Sequence, residues 1–166
     1  MNKIVLPPVA ILAGGLATRL RPLTQTMPKS MINVMGEPFV AHQLRLLAIQ
    51  GFERVVMCVG HLADQIEAFV GDGSRFGIHV NFSREAPDRL LGTGGALKLA
   101  LPLLGETFTI IYGDSFLTAP LRPSAEAFVN SGKHGLMTVF RNDEQWDKSN
   151  VIFDGRRLIA YSKVDK

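Results

Sequence analysis

The chain has a single cysteine and no long uninterrupted apolar run, and these shortages exclude several classes of protein. Its single cysteine, Cys58, cannot form an intramolecular disulfide, which favours a reducing compartment. The position of Cys58 within an apolar run predicts a core residue. No stretch reaches the roughly 18 apolar residues that a membrane-spanning helix requires, so we predict no membrane partner.

Basic charge is also modest. The formal net charge is +3 over 166 residues, and Lys and Arg occur in no run of four or more. A nucleic-acid-binding surface needs a concentrated basic patch, so we predict no nucleic-acid partner. A small anionic substrate suits this charge balance better.

Several catalytic and cofactor-binding patterns are missing. The four histidines have no Cys, Asp or Glu at zinc-ligand spacing, and no Ser, His and Asp constellation is evident. The glycine-rich segments lack the GK[ST] of a Walker motif and the GxGxxG of a dinucleotide site. A dinucleotide-dependent oxidoreductase would suit the fold class predicted below, but it does not suit these motifs.

The first residues bear a loose likeness to a secretory signal peptide, with a lysine, an apolar stretch and small residues. Pro7 and Pro8 interrupt that stretch, and cleavage near Ala17 would destroy the first glycine-rich loop. We therefore expect a cytoplasmic chain whose first strand begins near Pro8.

What the sequence does contain is a regular alternation of strand-like and helix-like segments. Apolar or alternating runs predict strands over 9–14, 54–60, 78–84, 107–114 and 135–140. Helical periodicity predicts helices from Pro38 to Gly51, over 61–70, from the second glycine loop to Gly105, and over 125–130. On the third of these helices, Leu97, Leu101 and Leu104 share one face.

This rhythm predicts an α/β fold: a three-layer, mainly parallel (Rossmann-like) sheet with helices on both faces and a C-terminal β-hairpin that turns at Asp154 and Gly155. Right-handed crossovers place the glycine loops at the carboxyl ends of strands, where such sheets bind ligands. No internal repeat or interdomain linker is evident, so residues 1–166 are expected to form a single domain.

The segment "LAGGLATRLRPLT", residues 12–24, joins the first strand to a polar stretch. Gly14 and Gly15 permit positive φ and let backbone N–H groups approach a ligand closely. With Arg19 and Arg21 nearby, these N–H groups form a natural cradle for phosphates. An ordinary strand-to-helix turn is the alternative interpretation.

Further candidate residues follow in the chain. Lys29, after a rigid proline, can place a point charge near the same phosphates, although a lone lysine is more often solvated. The loop 92–95 opens a helix whose N-terminus offers free amides, and simple capping by Thr93 is the alternative. Glu85 can accept two hydrogen bonds from a guanine edge, or it is an ordinary loop carboxylate. Asp114, at a strand's carboxyl end, suits either Mg²⁺ between phosphates or a turn.

In this order, "AGGLATRLRPLT", "PKSMINVMGEPFV", "LGTGGAL" and "YGD" resemble the sugar-1-phosphate nucleotidylyltransferases, the NDP-sugar pyrophosphorylases. The general impression is closest to bacterial guanylyltransferases acting on mannose or heptose 1-phosphate. The resemblance implies transfer of a nucleoside monophosphate from an NTP to a sugar 1-phosphate, with release of pyrophosphate, Mg²⁺ as cofactor and no protein nucleophile. It favours GTP, leaves UTP and dTTP open, and is compatible with a homo-oligomer.

The resemblance also implies roles for individual residues. Arg19 would hold the β- and γ-phosphates and stabilise the departing pyrophosphate, while Lys29 would neutralise the α-phosphate. Asp114 would bind the metal, and Lys163 and Asn150 would contact the sugar phosphate. The nucleotide-binding positions would be Ala13, Gly14, Gly15, Thr18, Glu85, Gly92 and Thr93.

Two departures from the family pattern stand out. Ala17 occupies a usual glycine position, where a positive φ would cost alanine about 1 kcal/mol. The chain stops at Lys166, whereas the family continues with further strands and a second metal aspartate, so we expect a truncated chain carrying the nucleotide-binding portion. The alternative is a non-catalytic nucleotide-binding relative that acts through a partner chain.

Overall fold

The computed structural model describes residues 5–86, 89–143, 145 and 148–162. Strands and helices alternate along much of the chain, as the hydrophobic pattern predicts. In chain order the elements are β1 (Val9–Leu12), β2 (Asn33–Val34), β3 (Glu37–Pro38), α1 (Phe39–Ile49), β4 (Arg54–Val59), α2 (Ala63–Val70), β5 (His79–Arg84), α3 (Gly92–Leu104), β6 (Thr109–Tyr112), α4 (Leu121–Ser131), β7 (Val151–Phe153) and β8 (Leu158–Tyr161).

Four of these strands form a parallel sheet in the order β5-β4-β1-β6. The register places Val9 of β1 beside Val55 of β4 and Thr109 of β6. Because β1 lies between β4 and β6, the loop after β1 emerges beside the segments that follow both neighbours. The predicted Rossmann-like sheet is therefore confirmed, with the first glycine loop at its carboxyl edge.

The two faces of the sheet carry different helices. Val9, Ile11 and Met57 point into a core shared with α1, α2 and α4. On the opposite face Ala10 and Cys58 pack against α3. Both faces of the central strands β1 and β4 are apolar because helices cover them on both sides, whereas Ile110 and Tyr112 of the edge strand β6 are 46% and 47% exposed. The predicted three-layer arrangement is confirmed.

Cys58 lies in the interior, as its apolar context predicts, with 1% of its surface exposed. Burial raises the pKa of its thiol to about 11, and the nearby charge of Glu85 contributes in the same direction. The thiol is therefore protonated at neutral pH and acts as a small apolar core residue.

The predicted strand over 135–140 is wrong, because these residues have no regular secondary structure. Their apolar side chains are exposed, Phe140 by 78%. A strand needs a neighbour for its backbone N–H and C=O groups, and no described strand pairs with this segment. β-Propensity alone does not supply that neighbour.

Several element boundaries also differ from the predictions. β1 ends at Leu12 rather than at Gly14. Helix α2 begins at Ala63 because Leu62, with φ of 57°, still belongs to the preceding turn. Helix α4 begins at Leu121, earlier than predicted, where the side-chain oxygen of Gln50 accepts the Leu121 N–H at 2.7 Å. That partner is distant in sequence, so the local pattern could not reveal this start.

The contact face of α3 is lined by small residues rather than by the predicted leucines alone. Ala96, Ala100 and Leu104 are buried, whereas Leu101, which shares a helical face with Leu104, is 44% exposed. Alanines allow a helix backbone to lie close to the sheet, which a row of leucines would prevent. No described helix is long and apolar enough to cross a membrane.

Two small antiparallel hairpins complete the fold. Strands β2 and β3 are joined by Met35 and Gly36, both at positive φ, as a tight hairpin turn requires. The predicted C-terminal hairpin is confirmed as β7 and β8. Asp154 stabilises its turn, because its carboxylate accepts the backbone N–H groups of Arg156 and Arg157 at 2.9 and 2.8 Å.

Candidate functional site

A cavity of about 530 Å³ opens at the carboxyl ends of β1 and β6. Parallel α/β sheets bind ligands at this edge, and small-molecule sites commonly have volumes of roughly 300–1,000 Å³. The residues lining it come from the loop after β1, the segment around Lys29 and the turn after β6. The predicted site residues brought together here are Ala13, Gly15, Thr18, Arg19, Lys29 and Asp114.

Lys29 and Asp114 form an ion pair across this cavity, with 2.7 Å between Nζ and Oδ2. Lys29 begins a short 3-10 turn, Lys29–Met31, and Asp114 lies in the turn after β6. The two side chains are 41% and 45% exposed. A pair so open to water contributes at most about 1 kcal/mol to stability. Its importance therefore lies in placing opposite charges beside a ligand-sized space.

Asp114 is carried by a turn from Tyr112 to Ser115, in which the Ser115 N–H donates to the Tyr112 carbonyl at 3.1 Å. Gly113 brings this turn against β1, donating its N–H to the Leu12 carbonyl at 2.9 Å. A Cβ at Gly113 would lie 2.9 Å from that same carbonyl oxygen. Glycine is thus needed here for close backbone approach.

Gln43 of α1 holds the same turn, and sequence reasoning missed it. Its side-chain Nε2 donates to the carbonyls of Tyr112 and Ser115, at 2.9 and 2.8 Å. The available signal was a polar residue within the apolar face formed by Val40, Leu44 and Leu47. That signal shows that Gln43 is unusual, but it does not reveal the distant carbonyls that Gln43 binds.

The loop after β1 uses positive φ at Ala17, which has φ of 46° and ψ of 45°. Gly14 and Gly15, which permit positive φ, are not among the residues that adopt it. Thr24, 2% exposed, donates its hydroxyl hydrogen to the Ala17 carbonyl at 2.9 Å and helps hold this conformation. The expected strain at the family's glycine position is therefore present.

Gly14 makes room for a buried carboxylate. A Cβ on Gly14 would lie 2.7 Å from Glu85 Oε2, and a Cβ on Gly60 would lie 3.2 Å from the same oxygen. Glu85 is 4% exposed, and its Oε1 accepts the Leu91 N–H at 2.7 Å. Gly14 and Glu85 therefore pack beneath the loop and are not in the cavity lining, so the base-reading role of Glu85 stays a prediction.

Gly15 differs from its neighbour because it lines the cavity. Apart from Gly15 itself and its two chain neighbours, no described residue has an atom within 4 Å of the position that a Gly15 Cβ would occupy. Adjacent glycines therefore face different surroundings, one a packed interior and the other open space.

The second glycine loop begins α3 directly. Gly92 has φ of 70°, and a Cβ on Gly95 would lie only 2.5 Å from the Leu91 Cβ. No side-chain hydrogen bond caps this helix, so the alternative in which Thr93 acts as its cap is wrong. Gly92 and Thr93 are exposed and do not line the cavity, although Leu90 does.

Other predicted residues lie away from the cavity lining or outside the described residues. Asn150 is exposed, and its carbonyl accepts the Ser162 N–H at 3.0 Å as the hairpin closes. Arg21 does not line the cavity. Lys163 lies outside the described residues. Within the described ranges, no group of three or more His, Cys, Asp or Glu could hold a metal ion.

A parallel sheet with cationic side chains and glycine backbone around a cavity at its carboxyl edge places the chain among the α/β proteins that have a ligand-sized cavity at the strand ends. Residues 9–150 match the family described as Nucleotidyl transferase, and the chain belongs to that family. The resemblance noted in the sequence motifs is thereby confirmed.

Two curated relatives illustrate the match. UTP–glucose-1-phosphate uridylyltransferase of Synechocystis is 34% identical over 132 residues, which cover 74% of this chain and 34% of the relative. Mannose-1-phosphate guanylyltransferase catalytic subunit beta of Drosophila melanogaster is 32% identical over 148 residues, which cover 87% of this chain and 40% of the relative. The chain thus matches well under half the length of either.

A solved structure agrees with this assignment. HddC from Yersinia pseudotuberculosis, complexed with GMP-PN, superposes with a TM-score of 0.64 and 32% sequence identity. The alignment covers 76% of this chain and 54% of HddC. The shared fold is therefore the one in which that nucleotide complex was solved.

Proposed function

We propose that this chain carries the nucleotide-binding part of a sugar-1-phosphate nucleotidylyltransferase, which transfers a nucleoside monophosphate from an NTP to a sugar 1-phosphate and releases pyrophosphate. One observation carries the proposal: Arg19, Lys29 and Asp114, from three separate segments, line one cavity. Such transfer depends mainly on positioning and charge neutralisation, so it needs cations and a metal-binding carboxylate more than a protein nucleophile.

Each lining residue has a role in this proposal. Arg19 opposes the charge of the β- and γ-phosphates and of the departing pyrophosphate, and Lys29 opposes that of the α-phosphate. Gly15 offers a backbone that a phosphate can approach closely, because the space beside it is open. Ala13 and Thr18 complete the wall on the same side.

Asp114 is the residue that would hold Mg²⁺. Its carboxylate is 45% exposed and belongs to the cavity lining. Magnesium is often bound by one or two carboxylates together with substrate phosphates and waters, so one protein carboxylate fits it when a nucleotide supplies the other ligands. The bound metal would supply neutralisation of phosphate charge.

The favoured substrates are GTP and mannose or heptose 1-phosphate, with UTP or dTTP as alternative nucleotides. The GMP-PN complex of HddC and the guanylyltransferase from Drosophila support guanine, whereas the Synechocystis relative is a uridylyltransferase. For Glu85 to read a base, its carboxylate must share or release the Leu91 N–H that it now accepts. Asn150 and Lys163 remain the proposed contacts to the sugar phosphate.

The test is a binding and turnover panel on the purified chain. We expect GTP with Mg²⁺ to raise the unfolding temperature more than UTP, dTTP or CTP, and sugar 1-phosphates to elicit pyrophosphate release. Lys29→Met should weaken both responses, whereas the control Lys98→Met, an exposed position on α3 outside the cavity, should leave them unchanged. Absence of binding to every nucleotide would refute the proposal.

The same panel separates the alternative, a non-catalytic nucleotide-binding relative that acts through a partner chain. Strain at Ala17 is the observation that favours this alternative, because the cavity wall departs there from the family's glycine. Its signature is nucleotide binding without pyrophosphate release for any pair of NTP and sugar 1-phosphate.

A further inference from the structure

Gln43 is a buried polar residue on an otherwise apolar helix face. It is 2% exposed, and its neighbours on that face, Val40, Leu44 and Leu47, belong to the main core. Buried polar groups in folded proteins are normally hydrogen-bonded, and the bonds of Gln43 run to one place. Both hydrogens of its Nε2 are used, one on the Tyr112 carbonyl and one on the Ser115 carbonyl.

These two carbonyls belong to the first and last residues of the turn that carries Asp114. The Ser115 N–H closes the turn on the Tyr112 carbonyl from within. Gln43 bridges the same two residues from outside, across 69 and 72 positions of sequence. The side chain therefore fixes both ends of the turn to α1, and only Gly113 and Asp114 lie between the fixed points.

Packing alone does not explain a glutamine here. Its side-chain oxygen is buried and has no hydrogen-bond partner among the described residues. An unpaired buried acceptor destabilises a fold, and an apolar side chain of similar size would avoid that penalty. The value of glutamine at this position lies in its two donated hydrogen bonds.

Helix α1 also anchors the other member of the ion pair. The Phe39 N–H at the start of α1 donates to the Ile32 carbonyl at 2.9 Å. The Ile32 N–H in turn donates to the Lys29 carbonyl at 3.2 Å, which closes the short turn that begins at Lys29. Hydrogen bonds therefore connect both members of the ion pair to α1. The turn of Lys29 is bonded through Phe39, the first residue of α1, and the turn of Asp114 is bonded through Gln43.

We propose that Gln43 is a positioning residue for Asp114, which holds the turn so that the carboxylate faces the cavity and thereby sets the affinity for a divalent cation. The inference rests on the proposed function, because it takes Asp114 as the metal-binding carboxylate. Gln43 itself does not line the cavity, so its effect on the cation is exerted through the turn.

The experiment measures Mn²⁺ binding to the full chain with GTP present, by electron paramagnetic resonance, alongside GTP binding without metal. Gln43→Met keeps the side-chain length and removes both donors. We expect its Mn²⁺ dissociation constant to rise about tenfold, the range found for residues that orient metal ligands. Metal-free GTP binding should change by less than about twofold. A purely structural role would move both together.

The matched control is Leu47→Val, on the same helix and in the same core but without a hydrogen bond to the turn. It should lower the unfolding temperature and leave Mn²⁺ affinity unchanged. If Gln43→Met does not fold, Gln43→Leu, which suits the apolar face better, is measured in its place with the same expectation.

Asp114→Asn tests the assignment of Asp114 as the metal-binding residue separately from the positioning role of Gln43. If Asp114→Asn weakens Mn²⁺ binding and the Gln43 variant does so as well, the positioning role is supported. If only Asp114→Asn weakens it, the positioning inference is overturned and the metal assignment survives. If Asp114→Asn leaves Mn²⁺ binding unchanged, the metal assignment within the proposed function is wrong, and the positioning inference falls with it.

Discussion

The two glycine-rich loops have similar composition, yet they meet different surroundings. The loop after β1 forms one wall of the cavity, whereas the loop at the start of α3 lies outside the lining and packs Gly95 against Leu91. The same contrast recurs inside the first loop, where Gly14 faces a buried carboxylate and Gly15 faces open space. The number of glycines in a loop does not show what they are for. The atoms near the position that a Cβ would occupy show whether a glycine is needed for packing or is a candidate ligand contact.

The largest expected effect tests whether only the first loop meets the substrate. Arg19→Ala should reduce pyrophosphate release by about 100-fold, because it removes a charge that stabilises the departing pyrophosphate. Arg89→Ala, beside the second loop and outside the cavity lining, is the matched control and should change turnover little. Equal losses in steady-state assays of both variants would break the comparison between the loops.

Gly14→Ala should destabilise the fold by about 2 kcal/mol, since its Cβ would collide with the Glu85 carboxylate. Urea denaturation measures this loss. In the double variant with Glu85→Ala the carboxylate is gone, so the added cost of Gly14→Ala should shrink markedly. An undiminished cost in that background would show that another contact, such as the Gly60 backbone, is responsible.

Gly15→Ala should have the opposite profile. The position is sterically open and needs no positive φ, so urea denaturation should detect no loss of stability. Nucleotide affinity measured by calorimetry should fall about tenfold, or about 1.4 kcal/mol, because a methyl group would stand where a phosphate approaches the backbone. A variant that binds GTP like the parent chain would remove Gly15 from the proposed site.

The smallest effect concerns Ala17, which has a left-handed conformation in a loop whose glycines do not need one. Ala17→Gly should stabilise the fold by less than about 1 kcal/mol, because relief of steric strain exceeds the extra entropy that glycine loses on folding. Ala127→Gly, exposed on α4, should instead lower stability by about 1 kcal/mol. A loss at both positions in urea denaturation would contradict strain at Ala17.

The central strands of the sheet, β1 and β4, were predictable because they are buried on both faces. The run 55–59 is apolar throughout, and a glycine follows it. The apolar pattern therefore predicts a buried strand, and the strand is buried in the structure. Residues 135–140 carry a similar apolar pattern and form no strand. The difference lies in the hydrogen-bonding neighbour, which a local sequence pattern does not contain.

Some residues of the candidate site were likewise predictable from the sequence, and others were not. Arg19 and Asp114 were predictable because each follows a strand that ends at the carboxyl edge of the sheet, and Lys29 because it lies in a motif of the family that the chain resembles. The burial of Glu85 and the two bonds of Gln43 were not, because each depends on partners brought close only by folding. The sign of φ at Ala17 was suspected only because the family places glycine there.

Under the proposed function, the ion pair between Lys29 and Asp114 couples the binding of the metal to the binding of the nucleotide. The Lys29 ammonium already partly neutralises the Asp114 carboxylate, so a free divalent cation that displaces it gives up an ion pair worth at most about 1 kcal/mol. When the cation is bound to a nucleotide, the displaced Lys29 can pair with a phosphate instead. Each charged group then keeps a partner of opposite charge. If the metal tightens nucleotide binding in this way, linkage requires the nucleotide to tighten metal binding by the same factor.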